Sequence, residues 1–152
     1  MILKIVSGGQ TGVDIAAIDF AIENKIDYSG WVPKGRRCES GIIDLKYTNF
    51  KETNSSGYLV RTKLNTRDSN GTLIILPFNK PIGMGSKATA KFAEEFNKPF
   101  MYINLYDQDR KECVLNWINE NNIKILNVAG AREETTPGIY KASKLFLNEL
   151  FK

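Results

Sequence analysis

Histidine is missing from all 152 residues, and its absence removes whole classes of chemistry. Without an imidazole there is no histidine metal site, no Ser-His-Asp triad and no imidazole general base. Cysteine is nearly as scarce: Cys38 and Cys113 stand far apart with no metal-ligand spacing around them, so no metal is expected. No apolar run approaches the ~18 to 20 residues of a membrane span. The N-terminus has no basic segment ahead of a long apolar stretch, so the sequence reads as that of a cytoplasmic protein with no membrane partner. Runs of five or more like charges are also absent. The net charge of +4 comes from scattered lysines and arginines, a pattern that fits a solvated surface better than a nucleic-acid footprint; a basic ligand pocket would account for part of it equally well.

What remains is ordinary for a globular chain, 42% hydrophobic and 25% charged, and the length suits one domain over residues 1–152. The informative stretch is Ser7-Gly8-Gly9-Gln10-Thr11-Gly12, between the apolar run Ile2 to Val6 and an amphipathic run from Val13. Glycine lets the backbone approach a ligand closely, and a helix N-terminus aims unpaired N–H groups and a positive dipole end at it. An anion such as phosphate is the expected guest, although the spacing is neither G-x-G-x-x-G nor G-x-x-x-x-G-K-[ST]. A tight connection with no ligand is the other reading.

The pattern recurs. Met1 to Val6 reads as a buried strand and Val13 onward as a helix, with Thr11 as N-cap and Asp14 three residues on, a capping-box variant. In that first turn Asp14 either caps or orients a ligand group. Tyr28 to Val32 is a second strand, followed by Lys34-Gly35-Arg36-Arg37, which is either an exposed basic loop or the second wall of an anion site. Cys38 to Ser56 shows no sustained period and reads as a long irregular surface connection or lid. Tyr58 to Leu64 is expected as helix and Leu73 to Leu76 as strand, with Arg67 and Asp68 at the junction as an ion pair, as caps or as site residues. Pro81-Ile-Gly-Met-Gly-Ser86 then opens another helix. Strands at Pro99 to Leu105 and Ile123 to Val128 bracket a helix from Asp109 to Asn121. After Ala129-Gly130, Thr136 ahead of Pro137 looks like the N-cap of the last helix.

Alternating strands and helices predict an α/β fold, a Rossmann-like parallel sheet with helices on both faces. The glycine turns at Gly8, Gly83 and Gly130 would then share the carboxyl edge, where such sheets bind ligands.

Four segments carry a resemblance: Lys4 to Asp14, Gly30 to Arg37, Asn65 to Thr72, and Leu126 to Gly130 with Pro137-Gly138. Together they resemble the molybdenum-cofactor carrier family, a circularly permuted branch of the YpsA-like (SLOG) proteins, in the superfamily of the lysine-decarboxylase-like phosphoribohydrolases. The likeness runs nearly the length of the chain. It implies a homo-oligomeric Rossmann-like protein holding molybdenum cofactor, a nucleotide or another phosphate-bearing ligand. Carried over by position, Ser7, Gly8, Gly9, Gln10, Thr11, Gly12, Gly83, Gly85 and Ser86 would supply N–H and hydroxyl donors. Lys34, Arg36 and Arg67 would be charge partners; Asn127, Gly130 and Thr136 would flank the third turn. The phosphoribohydrolases carry Pro-Gly-Gly-x-Gly-Thr-x-x-Glu, whereas this chain has Pro81-Ile-Gly-Met-Gly-Ser-Lys-Ala-Thr89, with threonine in place of the catalytic glutamate. The phosphate-binding half is retained and the catalytic half is not. A binder, carrier or sensor is therefore expected ahead of a hydrolase, for which Asp14, Asp68 and Glu133 would be the carboxylates available. Trp31 beside Lys34 to Arg37 is the only feature favouring single-stranded nucleic acid, and weak, salt-sensitive binding is the most it predicts.

Overall fold

The computed structural model describes residues 1–151. Among these residues eight strands are formed: β1 (Lys4–Val6), β2 (Asp27–Val32), β3 (Arg37–Cys38), β4 (Gly41–Ile42), β5 (Phe50–Glu52), β6 (Gly71–Ile75), β7 (Phe100–Ile103) and β8 (Ile125–Gly130). Five helices accompany them: α1 (Val13–Glu23), α2 (Tyr58–Arg67), α3 (Met84–Glu95), α4 (Arg110–Glu120) and α5 (Ile139–Leu150). Six strands make one sheet in the order β5-β2-β1-β8-β6-β7, and every neighbouring pair is parallel. This is the Rossmann-like α/β fold expected of a chain that alternates strand and helix.

The topology places the site. From β1 the chain moves one way along the sheet to β2, and from β6 it moves the other way to β7. Right-handed crossovers then put α1 and α3 on opposite faces and leave a crevice between them at the carboxyl ends of β1, β8 and β6. Packing agrees: α1 and α4 lie against α5 on one face, and α2 lies against α3 on the other. The centre of the sheet is apolar on both sides, which is why β6 is buried along its whole length.

Three local expectations are corrected. Thr11 is not the cap of α1: Gly12 holds that position at φ 81°, and the Thr11 hydroxyl donates instead to Glu134. Thr136 does not cap α5 either. That helix starts at Ile139, and the Glu133 carboxylate accepts the N–H groups of Gly138 (2.7 Å) and Tyr140 (2.9 Å). Finally, the stretch 38–56 is not irregular throughout, since it completes the antiparallel β3–β4 hairpin and supplies the edge strand β5. β5 is three residues long, too short for a readable period, and it exists because β2 offers it a partner in the register Gly30↔Phe50 to Val32↔Glu52.

Candidate functional site

The crevice is built around an arginine. Asn65 fixes α2 to the sheet by accepting the Trp31 N–H (2.7 Å) and donating to the Trp31 carbonyl (3.0 Å). One turn earlier on the same helical face, Arg61 is thereby laid over the first glycine turn. Its Nε donates to the Tyr58 carbonyl (3.1 Å) and its Nη1 to Asp14 Oδ2 (3.1 Å). Nη2 has no protein acceptor among the described residues. A side chain at Gly8 would overlap this guanidinium, so glycine is what lets Arg61 reach Asp14.

The pair is buried, with side-chain exposures of 11% for Arg61 and 6% for Asp14. Burial pushes the Asp14 pKa up, against the attraction of Arg61 and the N–H donated by Gln10 (3.3 Å). Burial likewise pulls the Arg61 pKa down, against the attraction of Asp14. With its own charge shared with one carboxylate, Arg61 still offers a free N–H edge to the crevice. Two more guanidiniums stand close by: Arg37, Arg61 and Arg132 lie 4.6, 5.4 and 5.0 Å from the Tyr58 ring centroid. Arg132 is ion-paired with Glu39 on the β3–β4 hairpin. Cations gathered on one electron-rich ring keep a basic surface ordered without neutralising it.

The crevice has two chambers. An inner cavity of about 60 Å³ is walled by Gly8, Asp14, Arg61, Ser86, Thr89 and Asn127, among others. It shares Gly85, Ser86, Gly130 and Arg132 with an outer cavity of about 350 Å³, whose lining adds Lys80, Pro81, Gly83 and Thr136. Of the helix N-termini that follow the three glycine turns, two take acceptors from within the protein. Val13 at the start of α1 donates to the Ala131 carbonyl (3.1 Å), and Glu133 occupies the start of α5. Only α3 is left open, with no acceptor among the described residues for the N–H groups of Met84, Gly85 and Ser86. Its glycines are open too, for nothing lies within 4 Å of where a Cβ would stand at Gly83 or Gly85. Thr136 is buried in the outer chamber wall, and its hydroxyl has no partner among the described residues.

The residues singled out in the sequence therefore divide. Gly8, Gln10, Asp14, Gly85, Ser86, Asn127 and Gly130 line the inner chamber, and Gly83 and Thr136 the outer one. Gly9, Thr11 and Gly12 face the other side of their turn. Ser7 is buried beneath it, donating to the Asp14 carbonyl (2.9 Å). Gln10 also holds the hairpin, donating to the Arg37 carbonyl (3.4 Å) and accepting the Glu39 N–H (3.2 Å).

Lys34 is exposed and Arg36 faces away from the crevice, where its guanidinium clasps the carbonyls of Ile43 (3.2 Å), Asp44 (2.6 Å) and Tyr47 (3.0 Å). Arg67 and Asp68 form an exposed ion pair at the far end of α2, each holding the other in its charged form, with Asp68 also accepting the Trp31 indole N–H (2.8 Å). Glu133 has both carboxylate oxygens engaged by α5. Thr89, at the position of the relatives' glutamate, faces the inner chamber while donating to the Gly85 carbonyl (2.9 Å). Sequence reasoning missed Arg61 and Arg132. Arg61 stands in Tyr-Leu-Val-Arg-Thr-Lys with nothing local to mark it, whereas Arg132, two residues past Gly130, lay within reach of the turn argument.

No curated protein matches the chain. A solved structure does: that of a putative molybdenum carrier protein from Syntrophus aciditrophicus is 42% identical, superposes with a TM-score of 0.94, and is matched over 99% of this chain and 96% of its own. Residues 5–151 match the family described as circularly permutated YpsA SLOG. The chain belongs to the circularly permutated YpsA SLOG family.

Proposed function

We propose that this protein is a carrier or sensor that holds a phosphate-bearing small ligand, molybdenum cofactor or a nucleotide, in the two-chambered crevice. The observation that carries the proposal is the buried Arg61 guanidinium, aimed at the inner chamber with an unused N–H edge. An oxyanion there would meet Arg61 from α2 and the free N–H groups of Gly85 and Ser86 from the α3 N-terminus, the combination that binds anions elsewhere. Arg132 and Lys80 would flank a second charged group, and the orphaned Thr136 hydroxyl is a partner for a ligand heteroatom in the outer chamber. These residues suit molybdenum cofactor, which combines a phosphate with a polar ring system. The Syntrophus relative's description as a putative molybdenum carrier supports that choice. Assembly into a homo-oligomer belongs to the same proposal, and Leu59 and Val60, exposed on α2, give it an apolar surface.

The hydrolase reading has one observation in its favour. Asp14 is a crevice carboxyl with a raised pKa, as a proton-transfer group would be. Its engagement by Arg61 and Gln10 fits a positioning role better. Thermal unfolding against molybdate, molybdenum cofactor, AMP, ADP and ATP separates these readings, since a ligand at about 100 times its Kd adds about 2.7 kcal/mol. Stabilisation by molybdenum cofactor alone supports the carrier. Stabilisation by a nucleotide that is then consumed, with turnover lost in Asp14→Asn, supports the hydrolase. No shift with any of them refutes the site.

A further inference from the structure

A second cavity, of about 450 Å³, lies on the opposite side of the first glycine turn. Successive residues of that turn face alternate ways: Gly8 and Gln10 belong to the crevice, Gly9 and Thr11 to this cavity, and the two share no lining residue. Its walls are apolar and aromatic, with Ile15 on α1, Ile42 on β4 and Ile43 just after it, and the rings of Tyr47 and Tyr140. The two phenols converge on one carboxylate, Tyr47 donating to Asp19 Oδ1 (2.6 Å) and Tyr140 to Asp19 Oδ2. That shared acceptor fixes both rings and makes them more electron-rich.

The charged side chains of the lining are all acidic: Asp44, Glu133 and Glu134. The lining itself is thus acidic in a chain of net charge +4. Glu133 is engaged by α5, but Glu134 is exposed and among the described residues holds only the Thr11 hydroxyl, through one of its two oxygens. The cations beside it lie outside the lining: Arg36 with its guanidinium on the carbonyls of Ile43, Asp44 and Tyr47, Lys46 with its ammonium 5.1 Å from the Tyr47 ring centroid, and Lys144 6.0 Å from that of Tyr140. Ammonium groups already find these rings attractive from outside. Apolar walls, paired tyrosines and a negative rim are the features that bind an amine with an apolar body, by burial of that body and by cation–π and Coulomb attraction to its head.

We propose that this cavity is a binding site for an organic cation, an aryl or alkyl ammonium, distinct from the anion crevice and independent of the function assigned to it. The probe is 2-phenylethylamine, a cation at pH 7, titrated by calorimetry beside the neutral 2-phenylethanol and the anionic 3-phenylpropionate. Saturable binding of the amine with a Kd of about 1 mM or tighter is expected for a ligand of this size. The alcohol should bind at least about fivefold more weakly, and the anion should not bind. Glu134→Gln should weaken the amine about fivefold, the scale of one exposed charge interaction. Ser40→Trp, an exposed rim position filled with an indole, should abolish binding while circular dichroism reports an unchanged fold. Absence of saturation by 10 mM (about ten times the expected Kd) would overturn the proposal. So would equal affinity for the alcohol, or amine binding that neither substitution alters.

Discussion

Arg61→Met keeps the apolar stem and removes the cation, leaving the Asp14 carboxylate buried with the Gln10 main-chain N–H as its remaining donor. At 3.1 Å and an effective dielectric of about 20, the attraction lost is about 5 kcal/mol. Breaking buried pairs elsewhere costs about 3 to 5 kcal/mol. At about 3 °C per kcal/mol for a chain of this length, the unfolding midpoint should drop by about 10 °C or more at pH 7. The loss has a pH signature. Burial already raises the Asp14 pKa, and without Arg61 it rises further. A carboxyl with a raised folded-state pKa stabilises the fold in its protonated form, and that contribution is lost as pH rises through the folded pKa. The deficit of Arg61→Met should therefore be greatest at neutral pH and shrink as pH falls toward about 4, near the ordinary carboxyl range. Combining it with Asp14→Leu removes both charges and should return the stability to within about 2 kcal/mol of the parent. Thermal unfolding of the three proteins from pH 4 to 8 is the assay. An Arg61→Met midpoint within about 2 °C of the parent, below one kcal/mol on the same scale, refutes the reasoning; so does a double variant that melts as low as the single one.

Gly8→Ala puts a methyl group where the Arg61 guanidinium lies, so both the midpoint and phosphate binding should fall. Gly85→Ala lies inside α3 with open space around its Cβ and should raise the midpoint, by about 1 kcal/mol, while weakening any ligand that needs the crevice floor; equal behaviour of the two would contradict the different roles given to these glycines. Tyr47 and Tyr140 have pKa values pushed up by burial and by Asp19. Their protonated phenols favour the folded state, so stability should fall as pH rises above about 10, where unfolded tyrosines ionise, and Tyr47→Phe with Tyr140→Phe should flatten that fall in an alkaline melting series. Glu133→Ala strips the N-terminus of α5 of its acceptor and should cost about 1 kcal/mol without changing phosphate affinity; a loss of binding at unchanged stability would instead make Glu133 a ligand group.

The sequence by itself determined the alternation of elements, the parallel sheet and the edge at which the glycine turns gather. These follow from local chemistry: apolar runs of strand length, helical spacing of Val13, Ala17 and Phe20, and turns at Gly8, Gly83 and Gly130. Tertiary structure alone decided what each turn is for. The glycines at 8, 9 and 12 make room for Arg61, for Ile43 and Val32, and for the 131–133 backbone, so the first turn is closed by packing, while Gly83 and Gly85 stay open. Arg61 reaches Asp14 across 47 residues of chain, and a contact of that span leaves no periodicity or motif to read. Arg36, placed by sequence beside an anion, clasps three carbonyls of its own loop, and Glu133 is held by the helix that follows it. Residue types announce that a cation or carboxylate is present. Its partner is fixed only when the crossovers bring distant segments within hydrogen-bond distance, because satisfying buried polar groups is a property of the folded whole.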